Sequence, residues 1–150
     1  MEKQVVVIRP FDAATDIRKL SGIWLDASLK AHPFIGTSRL LEQRRLIEEE
    51  YLPKAETWVA CHRGEAIGFI SLLGTHIGGI FVAPDRQGAG AGRTLIAHAL
   101  KRKGELSLEV YTQNEQAMRF YASLGFKEVS RRDVDDFGYP FGNAALHLKA

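Results

Sequence analysis

Pro84-Asp85-Arg86-Gln87-Gly88-Ala89-Gly90-Ala91-Gly92-Arg93 is the stretch on which the fold of this chain turns. It follows a β-rich run over residues 76–82 and precedes a helical pattern of Leu95, Ile96, Ala99 and Leu100. Small residues leave backbone N–H groups unshielded, and a helix start adds partial positive charge, so the combination suits a phosphate. Two familiar phosphate loops are excluded by spacing. No Gly-Lys-Ser/Thr follows, and the glycines do not fall as G-x-G-x-x-G. A plain tight turn would also use glycine, but the alternation of Gly88, Gly90 and Gly92 weighs against that reading.

Upstream of the loop, residues 57–61 and 66–73 are β-rich runs separated by Arg63-Gly64-Glu65, the pattern of a hairpin. The strand over 76–82 carries Gly78 and Gly79, which mark a bulge or a close backbone approach. Further back, residues 5–9 form a short strand. Thr15 is placed to cap a helix with Ile17, Leu20, Trp24 and Ala27 on one face. A loop over 30–38 leads to a second helix presenting Leu40, Arg44, Ile47 and Tyr51, stopped by Pro53. Downstream, Gly104 ends the helix after the loop, and residues 106–111 form a strand. Asn114 then caps a helix bearing Ala117, Phe120, Tyr121 and Leu124, closed by Gly125 as a left-handed cap. Strands over 127–132 and 144–148 complete an α/β chain with a mixed sheet. Helix-linked strands imply a parallel pair, and hairpins imply antiparallel neighbours.

The chain of 150 residues reads as one domain with no internal repeat or linker. A net charge of +2 gives no strong field, which argues against nucleic acid and an anionic membrane as partners. Arg86, Arg93, Lys101, Arg102 and Lys103 read as a solvated helix end. A lone cysteine, Cys61, forms no internal disulfide or multi-cysteine zinc site, and within a strand it reads as structural. The charged start and the absence of a long apolar stretch lead us to expect a cytoplasmic protein without a membrane span. No metal-ligand cluster is visible.

Gln87-x-x-Gly90-x-Gly92, followed by Leu95-Ile96, resembles the Q/R-x-x-G-x-G/A signature of the GNAT N-acyltransferases. Ile8-Arg9-Pro10, Ile67-Gly68-Phe69, Phe81-Val82-Ala83-Pro84 and Asn114-x-x-Ala117-x-x-Phe120-Tyr121-x-x-x-Gly125-Phe126 fall in that family's order. The resemblance runs from about residue 5 to the C-terminus. Ala31-His32-Pro33-Phe34-Ile35, Tyr51-Leu52, Trp58-Val59 and Leu108-Glu109-Val110-Tyr111 resemble more narrowly the small bacterial YiaC/YjaB-type acetyltransferases.

The resemblance implies a mostly antiparallel central sheet with one splayed parallel strand pair and flanking helices. It implies acetyl-CoA as acetyl donor, attacked directly by a primary amine, with no metal. The pyrophosphate would lie on Gln87, Gly88, Ala89, Gly90, Ala91 and Gly92, near Arg93 and Thr94. The pantetheine arm would run along Ile80, Phe81 and Val82 as an added strand does, with Asn114 bonding it. The chemistry requires loss of an ammonium proton, a donor for the oxyanion, and a proton for the departing sulfur. Backbone N–H groups at the splayed strand end meet the second need. Tyr121 occupies the family position for the third, because a phenol near pKa ~10 keeps its proton at neutral pH. The competing reading of Tyr121 is plain core. His76 and Glu109 are the candidates for the base, since a histidine near pKa ~6.5 accepts protons at neutral pH. His32, in the loop that walls the acceptor site, is a third. Phe34 in the same loop is expected to contact the acceptor. Protein lysine is the acceptor that the narrower resemblance implies. A small-molecule amine is the alternative, and a non-catalytic acyl-CoA-binding sensor is the competing class. Either a monomer or a homodimer fits.

Overall fold

The computed structural model describes residues 5–88, 90–135 and 138–150. Its strands are β1 (Val7–Pro10), β2 (Glu56–His62), β3 (Glu65–Leu73), β4 (His76–Val82), β5 (Glu105–Tyr111), β6 (Lys127–Arg132) and β7 (Asn143–Lys149). They form one seven-stranded sheet in the order β1-β2-β3-β4-β5-β7-β6. Every neighbouring pair is antiparallel except β4 and β5. The mixed, mostly antiparallel sheet expected from the sequence is therefore present. Arg63 (φ 52°) and Gly64 (φ 80°) make the β2–β3 turn, two left-handed residues in succession, as a tight hairpin of the right twist requires. The last strand does not extend the sheet in chain order: β7 inserts between β5 and β6.

Helices cover both faces: α1 (Ile17–Ala31) and α2 (Thr37–Leu46) on one, α3 (Ala91–Lys103) and α4 (Glu115–Ser123) on the other. Leu95, Ile96, Leu106, Leu108, Tyr121 and Leu146 meet in the core beneath α3 and α4. Leu20, Trp24, Leu40, Leu52 and Phe69 form the opposite core, which also takes in the buried Cys61. The cap of α1 differs from expectation. Asp16, not Thr15, is the N-cap, and its side chain makes no capping bond. Its carboxylate instead accepts bonds from Arg9 Nη1 and Nη2 at 2.7 and 2.8 Å and from the Asp12 N–H at 2.8 Å. A buried carboxylate needs such partners, and the Arg9 guanidinium holds it below the usual carboxylate range. No helix among the described residues is long and apolar enough to cross a membrane.

The second early helix is also not uniform. After Leu46 it widens into a π turn over Ile47–Tyr51, a geometry concentrated at functional sites. That turn carries Tyr51 against β4. There, Ser71 pairs with Gly79 and Leu72 with Ile77, so Gly78 is the extra residue of a bulge. A Cβ at Gly78 would land on the Tyr51 hydroxyl, so the expected bulge and the close approach coincide. Immediately beyond it the parallel pair opens. His76 pairs with Ser107 and Ile77 with Leu108, and no later residue of β4 pairs with β5. β5 meanwhile stays paired along its length with β7.

Candidate active site

The opening between β4 and β5 leads into a cavity of about 1200 Å³ that reaches both faces of the sheet. On the α3 side its wall is the glycine loop. Gly88 (φ 90°) and Gly90 (φ 86°) are left-handed, and Gly90 is the N-cap of α3. The first N–H groups of a helix have no intrahelical partner, so this end offers donors to an anion. Thr94 Oγ1 donates to the Gly90 carbonyl at 2.8 Å. Gln87 Nε2 donates to the Val82 carbonyl at 3.1 Å, and Gln87 Oε1 accepts from Lys30 Nζ at 3.2 Å. Arg93, Gly92 and Ala91 line the cavity; Ala89 lies outside the described residues. Ala83 N–H bonds Ile67 on the β3 side. By strand alternation the backbone polar groups of Val82 and Ile80 face the opening and those of Phe81 face Phe69 on β3, while Phe81 itself also lines the cavity. Residues present thus fit a donor with a pyrophosphate and an amide-bearing arm.

Tyr121 projects from α4 into the cavity wall, its ring against Phe120 and Phe126 at 5.3 and 5.4 Å between centroids. Burial pushes its hydroxyl well above the ordinary phenol value, so it stays protonated. Asn114 is the N-cap of α4, accepting the Ala117 N–H at 3.1 Å through Oδ1. That bond fixes the amide's orientation, and Nδ2 then donates to His32 Nε2 at 3.2 Å. His32 is accordingly an acceptor at Nε2. Burial pushes it down to about 4, so the ring is neutral at pH 7. Its lone pair is engaged, which disfavours His32 as the base. Phe34 is not among the cavity-lining residues. It sits behind His32, edge-on to Tyr111 and Phe141 at 5.4 and 5.1 Å.

His76 and Glu109 both line the cavity. His76 Nδ1 bonds Ser107 Oγ at 2.9 Å across the first of the two parallel rungs, one residue before the strands part. Glu109 is ion-paired with Arg132 of β6. Asp135 also lines the cavity and accepts from Tyr111 Oη at 2.9 Å, and Glu50 lines it beside Lys54 at 2.7 Å. Charge is unevenly spread. Cations Lys30, Arg86 and Arg93 stand near the glycine loop, while the carboxylates Glu50, Glu109 and Asp135 stand toward α2, β5 and the β6–β7 loop, where Lys54 pairs with Glu50 and Arg132 with Glu109. Sequence reasoning missed Tyr51, Tyr111, Asp135 and Gln43. Tyr51 was visible as one member of a helix face and within the Tyr51-Leu52 pair of the narrower resemblance, with no role attached to it, and the widened turn that redirects it leaves no periodic signal.

A model described as an acetyltransferase (GNAT) domain matches residues 53–128. The chain is 40% identical over 124 residues to the peptidyl-lysine N-acetyltransferase YjaB of Escherichia coli (strain K12), spanning 82% of this chain and 84% of that protein. It is 34% identical over 119 residues to the peptidyl-lysine N-acetyltransferase YiaC of the same strain, spanning 79% and 82%. The solution structure of apo YjaB from Escherichia coli superposes with a TM-score of 0.87 at 36% identity, covering 97% of this chain and 99% of that one.

Proposed function

This chain belongs to the GNAT acetyltransferase family and transfers an acetyl group from acetyl-CoA to an amine; on that premise we propose that the acceptor is a lysine side chain of a protein or peptide. The observation that carries this reading is the division of charge along the cleft. A lysine ammonium, with pKa ~10.4, arrives protonated at neutral pH and meets Glu50, Glu109 and Asp135, exchanging with the partners Lys54, Arg132 and Tyr111 that hold them in the free protein. His32 and Tyr111, edge-on at 4.9 Å, supply an aromatic wall for its methylene stem. The two relatives named as peptidyl-lysine N-acetyltransferases support the same acceptor.

In this reading the glycine loop, with Lys30, Arg86 and Arg93 nearby, binds the pyrophosphate. The β4 edge at Ile80 and Val82 holds the arm and aims the acetyl carbonyl at the splay. In the tautomer whose Nδ1–H donates to Ser107 Oγ, His76 carries the lone pair on Nε2 and takes the ammonium proton; Glu109, paired with Arg132, is the alternative base on the neighbouring strand. Tyr121, on the α4 face, gives its O–H to the departing sulfur. A lone, free Cys61 is consistent with work in the cytoplasm. The test is a panel of lysine peptides, lysine-free peptides with a free N-terminus, and small diamines, read by thiol release and mass. Acetyl on lysine Nζ is the expected product. Transfer confined to diamines, or acetyl-CoA binding with no turnover on any amine, would overturn the assignment.

A further inference from the structure

The π turn ending α2 places the Tyr51 hydroxyl over Gly78, the bulged residue at the mouth of the splay. That oxygen is buried and has no hydrogen-bond partner among the described residues. Buried polar groups without partners are rare, and each calls for a cause. Gln43 Nε2, on the same helical segment and lining the same cleft, is likewise buried and unpartnered. Both residues lie on the face opposite Tyr121, that is, on the side from which the carboxylates admit a cation. Glycine at 78 is what makes the arrangement fit, because any side chain there would displace the hydroxyl.

We propose that the Tyr51 hydroxyl contacts the acceptor amine, accepting one of its N–H groups and so aiming the nitrogen lone pair at the acetyl carbonyl carbon. In the transfer the C–N bond forms and the C–S bond breaks. The amine loses one proton, and the thiolate released gains one, so acetyl-CoA and amine become N-acetyl amine and CoA thiol. Tyr51 itself gains and loses nothing; it is held protonated, burial pushing it up to about 12, and serves as a fixed dipole rather than a base. The hydroxyl finds its missing partner in the substrate, which explains why the free protein tolerates it unpaired.

The inference rests on the acetyl-transfer reading of this cleft, not on lysine as acceptor. Tyr51→Phe is compared with the wild type for acceptor kcat/KM, acetyl-CoA affinity and Tm. The same ratio is taken with whichever amine the wild type uses and, with water in the amine's place, as acetyl-CoA hydrolysis. Failure on lysine alone therefore leaves this test intact. Acceptor kcat/KM should fall about three- to tenfold, the effect of one hydrogen bond, with acetyl-CoA affinity unchanged within about twofold. Tm should stay level or rise, since an unpaired hydroxyl has been removed from the interior. If the phenylalanine variant does not fold, Gly78→Ala, which displaces the hydroxyl, is read by the same kinetic and affinity criteria, with a lower Tm expected from the displacement. Acceptor kinetics within about twofold of wild type, or an equal loss of acetyl-CoA affinity, would overturn the proposal.

Discussion

Tyr121 stands on the α4 side of the cleft, and its buried hydroxyl is held protonated well beyond neutral pH. A phenol raised this far is a weaker acid than a free thiol near pKa ~8.5, so full proton transfer is uphill unless the sulfur is desolvated as well. Its hydrogen bond therefore strengthens as charge grows on sulfur, and the proton passes to the thiolate desolvated in the closed cleft. Tyr121→Phe should lower turnover by about ten- to ten-thousand-fold, the span of positioned acid–base groups, with acetyl-CoA affinity nearly unchanged. Single-turnover kinetics with calorimetric binding would check it, and near-wild-type chemistry would reduce Tyr121 to core. His32 allows a second test. Its folded value of about 4 lies below the ~6.5 of an unfolded chain, so above pH ~6.5 it is neutral in both states and contributes nothing. As pH falls through that window the unfolded chain takes up a proton that the folded protein refuses. Stability should therefore drop progressively between about pH 6.5 and 4, by up to about 3 kcal/mol. Urea unfolding of wild type and His32→Gln across that range should show the wild type losing stability relative to the variant; parallel curves would place the acid sensitivity elsewhere.

Among the elements, the junction of the glycine loop with α3 is the most constrained. Gly90 is left-handed at φ 86°, with nothing within 4 Å of where a Cβ would stand, so a side chain there meets a backbone restriction rather than a clash. Gly90→Val should cost about 1–2 kcal/mol of strain, or move the loop and turn its N–H groups away. The expected result is a folded protein whose Tm no longer rises with acetyl-CoA, because the linkage between ligand and native state is lost. An undiminished rise would remove the loop from the donor site. On the other side of the cleft, α2 shows how much one widened turn changes. A continuous α-helix would carry Tyr51 on its 3.6-residue face, and the π turn resets that phase to set the ring over Gly78.

Taken whole, the molecule clasps the α1–α2 region to the segment between β6 and β7. Phe34 of the α1–α2 connection meets Phe141 beyond β6, and Arg39 lies over Tyr139 at 4.1 Å from the ring centroid. Phe34→Ala should loosen this clasp, lowering acceptor kcat/KM and Tm while acetyl-CoA affinity stays close to wild type; equal loss of both affinities would mean that the clasp also shapes the donor site. Much of the backbone that frames the candidate site was legible because its determinants are local. The glycine loop, the Asn114 cap, the left-handed caps at Gly104 and Gly125, and the bulge at Gly78 each depend on a few adjacent residues whose backbone preferences are intrinsic. Thr15 misled because a competing partner, Arg9 on a neighbouring strand, draws Asp16 into the cap position instead. What only the tertiary structure decided are pairings across long separations. Asn114 reaches His32 across 82 residues, Arg132 neutralises Glu109, β7 inserts between β5 and β6, and β4 leaves β5 after Ile77. No residue carries those facts in its own propensity. They follow from which faces can be buried together, and that is settled only when the whole sheet and both helical layers close on one another.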